Sequence, residues 1–194
     1  MSRVQRIPGV EAAPITSYPR PLRLGPTISK SLDKNAPDAP ATAVVRLLSQ
    51  QRKTMAVAES STGGLIGHML TQVRGSSATF LGGVIAYDNR LKGSLGVPRS
   101  VLAERGAVSG ETARAMAEGV RERTGADYGL AVTGIAGPGG GTAAKPVGLT
   151  FLALAYDAGA HMEERLFSGG RSRIKTASAL AALELLKRHL EGRG

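Results

Sequence analysis

Met55-Ala56-Val57-Ala58-Glu59-Ser60-Ser61-Thr62-Gly63-Gly64-Leu65-Ile66-Gly67-His68-Met69-Leu70 runs from a short apolar segment, through hydroxyls and glycines, into an apolar helical period. It predicts a buried strand over 54–58 and a helix over 62–73. The first N–H groups of a helix have no intrahelical partner and point at whatever lies before them. Two readings follow. Ser61 or Thr62 is an N-cap and the glycines permit a tight turn. Alternatively, the junction presents a serine beside donors already aimed at an oxyanion or a phosphate.

The pattern outward from this junction is that of an α/β domain. Val44, Val45, Leu47 and Leu48 form one helical stripe over 41–51. Phe80 to Tyr87 reads as a second strand, and Pro98 as the first residue of a short helix. Ser109 reads as the N-cap of a helix through Arg123. A strand over 127–133 leads into the glycine-rich loop Gly134 to Gly141. Segments 147–156 and 161–167 form a hairpin around Asp157-Ala158-Gly159-Ala160. Residues 171–190 close the chain as an amphipathic helix with Ile174, Ala177, Leu180, Leu183 and Leu186 inward. Alternating strands and helices followed by a hairpin imply a three-layer α/β/α sandwich with a mixed central sheet.

Residues 1–40 read as a disordered tail ahead of a single domain over 41–191. Pro8, Pro14, Pro19, Pro21, Pro26, Pro37 and Pro40 forbid a long helix or a central strand. The segment is a flexible tail or an over-extended start of the reading frame. Its arginines lie on no amphipathic helix, which argues against a transit peptide.

Composition narrows the chemistry. The chain of 194 residues has no cysteine, which excludes disulfides, thiolate zinc sites and cysteine nucleophiles. Its three histidines, His68, His161 and His189, accompany no motif. A base for nucleophilic catalysis therefore points to lysine rather than histidine. The net charge of +10 suits anionic ligands. No aromatic platform or RNA-binding signature accompanies it, so specific nucleic-acid recognition is not expected. No apolar run approaches the ~18 residues of a membrane span, and no signal-peptide core is present. A cytoplasmic location is the expectation.

Other stretches could carry chemistry. Gly134 to Gly141 lies beyond a strand end, where α/β sheets bind ligands. It lacks the Gly-Lys-[Ser/Thr] of a phosphate loop, because Lys145 is followed by Pro146. Tyr87 and Lys92 can move protons only if Lys92 is desolvated, since a solvated lysine is a poor base near neutrality.

The ordered set Glu59-Ser60-Ser61-Thr62-Gly63-Gly64, Gly75-Ser76-Ser77, Tyr87-Asp88-Asn89 with Lys92, Gly106-Ala107-Val108-Ser109, Thr133 to Pro138 and Lys145-Pro146-Val147-Gly148 resembles the CinA C-terminal domain family. Stand-alone members of that family are nicotinamide-nucleotide amidases. The resemblance implies conversion of nicotinamide mononucleotide to nicotinate mononucleotide and ammonia, without metal or cofactor. It implies Ser60 as nucleophile, with Tyr87 and Lys92 completing the proton-transfer set; Ser61 stands beside it as a second candidate. Amides near Thr62, Gly63 and Gly64 would stabilise the oxyanion. Asn89 would read the amide or ribose. Gly134 and Gly137 would approach the ribose phosphate, with Lys145 or Arg171 supplying charge. The partner expected is thus a small nucleotide, and the small domain is expected to form a homo-oligomer. The alternatives are a non-catalytic module linked to competence or DNA repair, or an amidase of another small carboxamide. This chain departs from the family pattern at Ser61, where many relatives carry cysteine, and at Gly139 and Gly170, where aspartates are usual.

Overall fold

The computed structural model describes residues 39–193; the expected tail lies outside them, apart from its last two residues. The elements are α1 (Ala39–Gln51), β1 (Met55–Glu59), α2 (Leu65–Thr71), β2 (Phe80–Ile85), α3 (Asn89–Ser94), α4 (Arg99–Glu104), α5 (Gly110–Thr124), β3 (Tyr128–Gly134), β4 (Leu149–Tyr156), β5 (Gly159–Leu166) and α6 (Arg171–Leu190). They form a mixed five-stranded sheet of order β2-β1-β3-β4-β5. β1 pairs in parallel with β2 and β3, while β4 and β5 add antiparallel.

The two faces of the sheet differ in size. Met55, Val57, Leu130, Val132, Leu152 and Leu154 point to the side covered by α1, α2 and α6. Their in-between neighbours Ala56, Ala58, Ala131, Ala153 and Ala155 face α5. The period-2 alternation of a strand thus sorts large residues to one face and alanines to the other. The alanine face lets α5 lie close to its neighbours. A Cβ on Gly119 of α5 would fall 1.6 Å from the Leu95 carbonyl oxygen, and one on Gly129 of β3 would fall 2.1 Å from that of Ala117.

Several boundaries differ from the sequence reading. α1 begins at Ala39, with Pro40 tolerated in its first turn, where no N–H bond is required. Pro98 is the N-cap residue of α4 rather than its first helical residue. α2 starts at Leu65 and stops at Thr71, shorter than expected at both ends. α3 was not foreseen; Asp88 caps it by accepting the Arg90 amide at 2.8 Å. In α6 the deepest residues include Ser178, Ala179 and Ala182, with Ala177 and Leu180 only partly covered. No described helix is long and apolar enough to cross a membrane.

Candidate functional site

The site begins at the carboxyl end of β1, the strand between β2 and β3. Ser60 extends the β1–β3 pairing by donating its amide to the Val132 carbonyl at 2.9 Å. The Glu59 carbonyl accepts from the Ala86 amide at 2.7 Å, which ties the same point to the end of β2. Ser60 is therefore fixed from both sides and is largely buried.

Neither Ser61 nor Thr62 caps α2. The helix begins beyond Gly64, a left-handed residue with no side-chain cap of its own. The cap comes from upstream: the Glu59 carboxylate, 1% exposed, accepts from the amides of Gly64 at 2.9 Å, Ile66 at 3.1 Å and Gly67 at 2.8 Å. A negative charge at this helix start satisfies the orphan donors and the helix dipole together. The Gly63 amide is also engaged, on the Ser60 carbonyl at 3.2 Å. Gly63 and Gly64 are thus not free oxyanion donors, which corrects the sequence expectation. Among the described residues, the amides of Ser61 and Thr62 carry no recorded bond. Their hydroxyls are enclosed and without partners.

Lys92 lies on α3 and is 1% exposed, among the largest fully buried side chains. Its Nζ donates to the carbonyls of Ala86 at 2.8 Å and Tyr87 at 3.0 Å. No carboxylate pairs with it among the described residues. Burial pushes the amine below the ordinary lysine range, with the charge of Asp88 opposing. Tyr87 meets Lys92 through its backbone carbonyl. The residue is 62% exposed, and its hydroxyl lies 3.3 Å from an Arg171 guanidinium nitrogen. The phenol therefore makes no contact with Lys92 and lies beside Arg171 at the surface. Asn89 opens α3 and is exposed.

Arg171, the first residue of α6, also donates to the Gly137 carbonyl at 2.8 Å, joining the glycine loop to Tyr87. A groove runs between the starts of α2 and α6, lined by Thr62, Gly63, His68, Arg171, Ser172 and Lys175 among others. Lys175, Ser172 and His68 were not singled out from the sequence. A readable signal was the spacing of Arg171 and Lys175 on one helical face without an acidic neighbour.

Gly134 and Lys145 sit elsewhere. A Cβ on Gly134 would fall 2.7 Å from the Leu149 carbonyl, so its glycine serves the β3–β4 approach. Lys145 Nζ donates to the carbonyls of Arg105 and Val108, both at 2.6 Å. Between them, Gly106 O accepts from Ser109 Oγ and Thr112 Oγ1, and Ala107 O from Thr133 Oγ1 at 2.7 Å. The four successive carbonyls of 105–108 are all held by side chains. Lys145 is thereby committed to the loop instead of supplying charge to a phosphate.

These features define a mixed α/β/α domain with a serine at a strand–helix junction, a buried lysine on the neighbouring strand's continuation, and a cationic groove beside them. The chain belongs to the CinA family: the model of the CinA C-terminal domain matches residues 38–190. It is similar to a CinA-like protein of Geobacter sulfurreducens, 50% identical over 184 residues, covering 93% of this chain and 44% of that protein. A CinA-like protein of Thermotoga neapolitana is 48% identical over 152 residues, covering 78% and 37%. The chain thus spans less than half the length of these relatives. Among solved structures, the competence/damage inducible protein CihA from Agrobacterium tumefaciens aligns with TM-score 0.77 and 41% identity, over 84% of this chain and 99% of that one. The competence damage-inducible protein A from Klebsiella pneumoniae aligns with TM-score 0.78 and 28% identity, over 81% and 98%.

Proposed function

We propose that the chain is a serine amidohydrolase that converts nicotinamide mononucleotide to nicotinate mononucleotide and ammonia. The observation that carries this reading is Lys92. A buried amine with two carbonyl acceptors and no carboxylate partner is satisfied when neutral: two N–H bonds are donated and one lone pair is left to accept a proton. Neutral lysine is the form a serine nucleophile needs as its base.

In the proposed course, Lys92 takes the Ser60 proton as Oγ attacks the carboxamide carbon. The amides of Ser61 and Thr62 receive the oxyanion, in place of the engaged amides of Gly63 and Gly64. Collapse of the tetrahedral intermediate breaks the C–N bond, and the proton held by Lys92 leaves with ammonia. Water then adds to the acyl-enzyme with Lys92 as base, and the proton returns to Ser60 as the carboxylate product departs. Ser60 is favoured over Ser61, whose hydroxyl is sealed from solvent. In this course Tyr87, exposed beside Arg171, acts on the substrate and not on the base.

The test is ammonia release from nicotinamide mononucleotide by the purified chain. Ser60→Ala and Lys92→Met are expected to lose at least ~10²-fold in kcat, the scale of general-base catalysis, while Ser61→Ala retains most activity. Loss in Ser61→Ala with full activity in Ser60→Ala would overturn the nucleophile. Absence of turnover by folded protein would favour a non-catalytic module.

A further inference from the structure

We infer that the carbonyls of Arg105 to Val108 form a site for an ammonium-type cation, filled by Lys145 as a tethered ion, and that this ion positions the residues around Ser60. The cation site stands on its own geometry; its effect on turnover rests on the amidase reading.

Three observations converge. First, the 105–108 turn is a cradle of acceptors. Among the described residues no backbone amide donates to any of its four carbonyls. Acceptors left unpaired cost stability, and a lysine ammonium brings donors only. Lys145 Nζ takes the two outer carbonyls, Arg105 and Val108, at 2.6 Å each. The hydroxyls of Ser109, Thr112 and Thr133 take the two between them. The turn wraps the ion closely, since a Cβ on Gly106 would stand 3.5 Å from Nζ.

Second, the amine is held as a cation. No carboxylate pairs with Lys145 among the described residues, so carbonyl dipoles face its charge. Lys92 also donates to two carbonyls, but at 2.8 and 3.0 Å and sealed from solvent. Lys145 is half-buried beside an exposed loop, where solvent shares the charge, and its shorter bonds are those of a charge-assisted donor. Arg105 is also the residue that ends α4, the end of a helix that favours a cation.

Third, the cradle is joined to the site on two sides. Ala107 O accepts from Thr133 Oγ1 at 2.7 Å, and the carbonyl of the neighbouring Val132 holds the Ser60 amide at 2.9 Å. On the other side Val147, two residues after Lys145, packs against Gly137; a Cβ there would fall 2.6 Å from Val147 Cγ1. The Gly137 carbonyl accepts from Arg171, which also meets Tyr87. One ammonium thus ties the α4–α5 turn to the end of β3 and to the glycine loop. Lys145 touches no reacting atom and is a positioning residue.

The test compares the purified chain with Lys145→Ala, which opens the cradle, and with Lys187→Ala, a control that removes a lysine paired with Glu184 on α6. Thermal melts are run in choline chloride and in methylammonium chloride at equal ionic strength. In choline, Lys145→Ala is expected to melt about 5–10 °C lower than the parent, the loss of two charge-assisted bonds. It should regain a few degrees in ~0.1 M methylammonium, whereas the parent and Lys187→Ala should show no preference between the salts. Lys145→Gln, which keeps N–H donors without the charge, serves if the alanine variant does not fold, and should also melt below the parent. In hydrogen exchange, Lys145→Ala should lose protection at 134–138 and 86–91 as well as at 105–112, and methylammonium should restore it. Its kcat/KM for nicotinamide mononucleotide, measured where the variant is folded, should fall at least about tenfold and recover in methylammonium. A parent-like melt of either Lys145 variant, or equal melts of Lys145→Ala in the two salts, overturns the cation site. Lost protection confined to 105–112, with kcat/KM unchanged, overturns the positioning role. Methylammonium-dependent melting and exchange, with no turnover of any carboxamide by the parent, supports the cation site and removes the amidase reading instead.

Discussion

Replacing Glu59 with glutamine preserves shape and removes the charge on which the β1–α2 junction depends. In the structure the carboxylate accepts three amide bonds, two on one oxygen and one on the other. The glutamine oxygen can keep the pair from Gly64 and Ile66, now as neutral bonds about half as strong as charge-assisted ones. The glutamine nitrogen then faces the Gly67 amide, donor against donor, and a buried N–H left unpaired costs ~1–3 kcal/mol. Loss of the negative charge at the helix start adds a few tenths to about 1 kcal/mol. The relief of no longer burying an ion offsets part of this. The expected result is a destabilisation of about 2–4 kcal/mol for Glu59→Gln. Urea titration at pH 7, with an unchanged m-value, measures it. A loss below about 0.5 kcal/mol, the range of an ordinary surface substitution, would refute the view that this carboxylate organises the start of α2.

Two further outcomes concern Lys92 and Gly119. The folded-state pKa of Lys92 is lowered from its ordinary 10.5, so between the lowered value and 10.5 the unfolded chain binds more protons than the native one. Stability should therefore rise with pH across that window, and the Lys92→Met variant should lose that rise in urea titrations at several pH values. In α5, Gly119→Ala would gain about 1 kcal/mol of helix propensity. The 1.6 Å approach to the Leu95 carbonyl forces α5 away from the turn after α3, and the net effect is a loss of at least ~1–3 kcal/mol. A variant as stable as the parent in thermal melts would show that the approach is not tight.

What could be read in advance depended on whether the cause was local. α6 was legible to its ends because a 20-residue apolar stripe follows Gly169-Gly170 and stops before Gly192. Ser109 was legible because its side chain caps the helix that it precedes, accepting the Thr112 amide. α3 escaped because six residues containing Gly93 hold too short a period. The start of α2 was misplaced because its cap is a carboxylate from the preceding strand, not a hydroxyl at the junction. Tyr87 and Lys145 took their roles from the family resemblance, but their partners come from segments 84 and about 40 residues distant in sequence. Lys92 was named from the motif order, while its burial depends on how α3 folds back over the end of β2.

The captured carbonyls of 105–108 carry a consequence for how the chain can be altered. Donors from α5, β3 and the 142–148 segment converge there, so an insertion of even one residue would dislodge several of them together. Residues 139–144, by contrast, are exposed, and Thr142 is anchored only to Lys145. Permissive ground for a tag or a lengthened loop therefore lies in 139–140, a few residues before Lys145, whose ammonium holds the carbonyls of Arg105 and Val108.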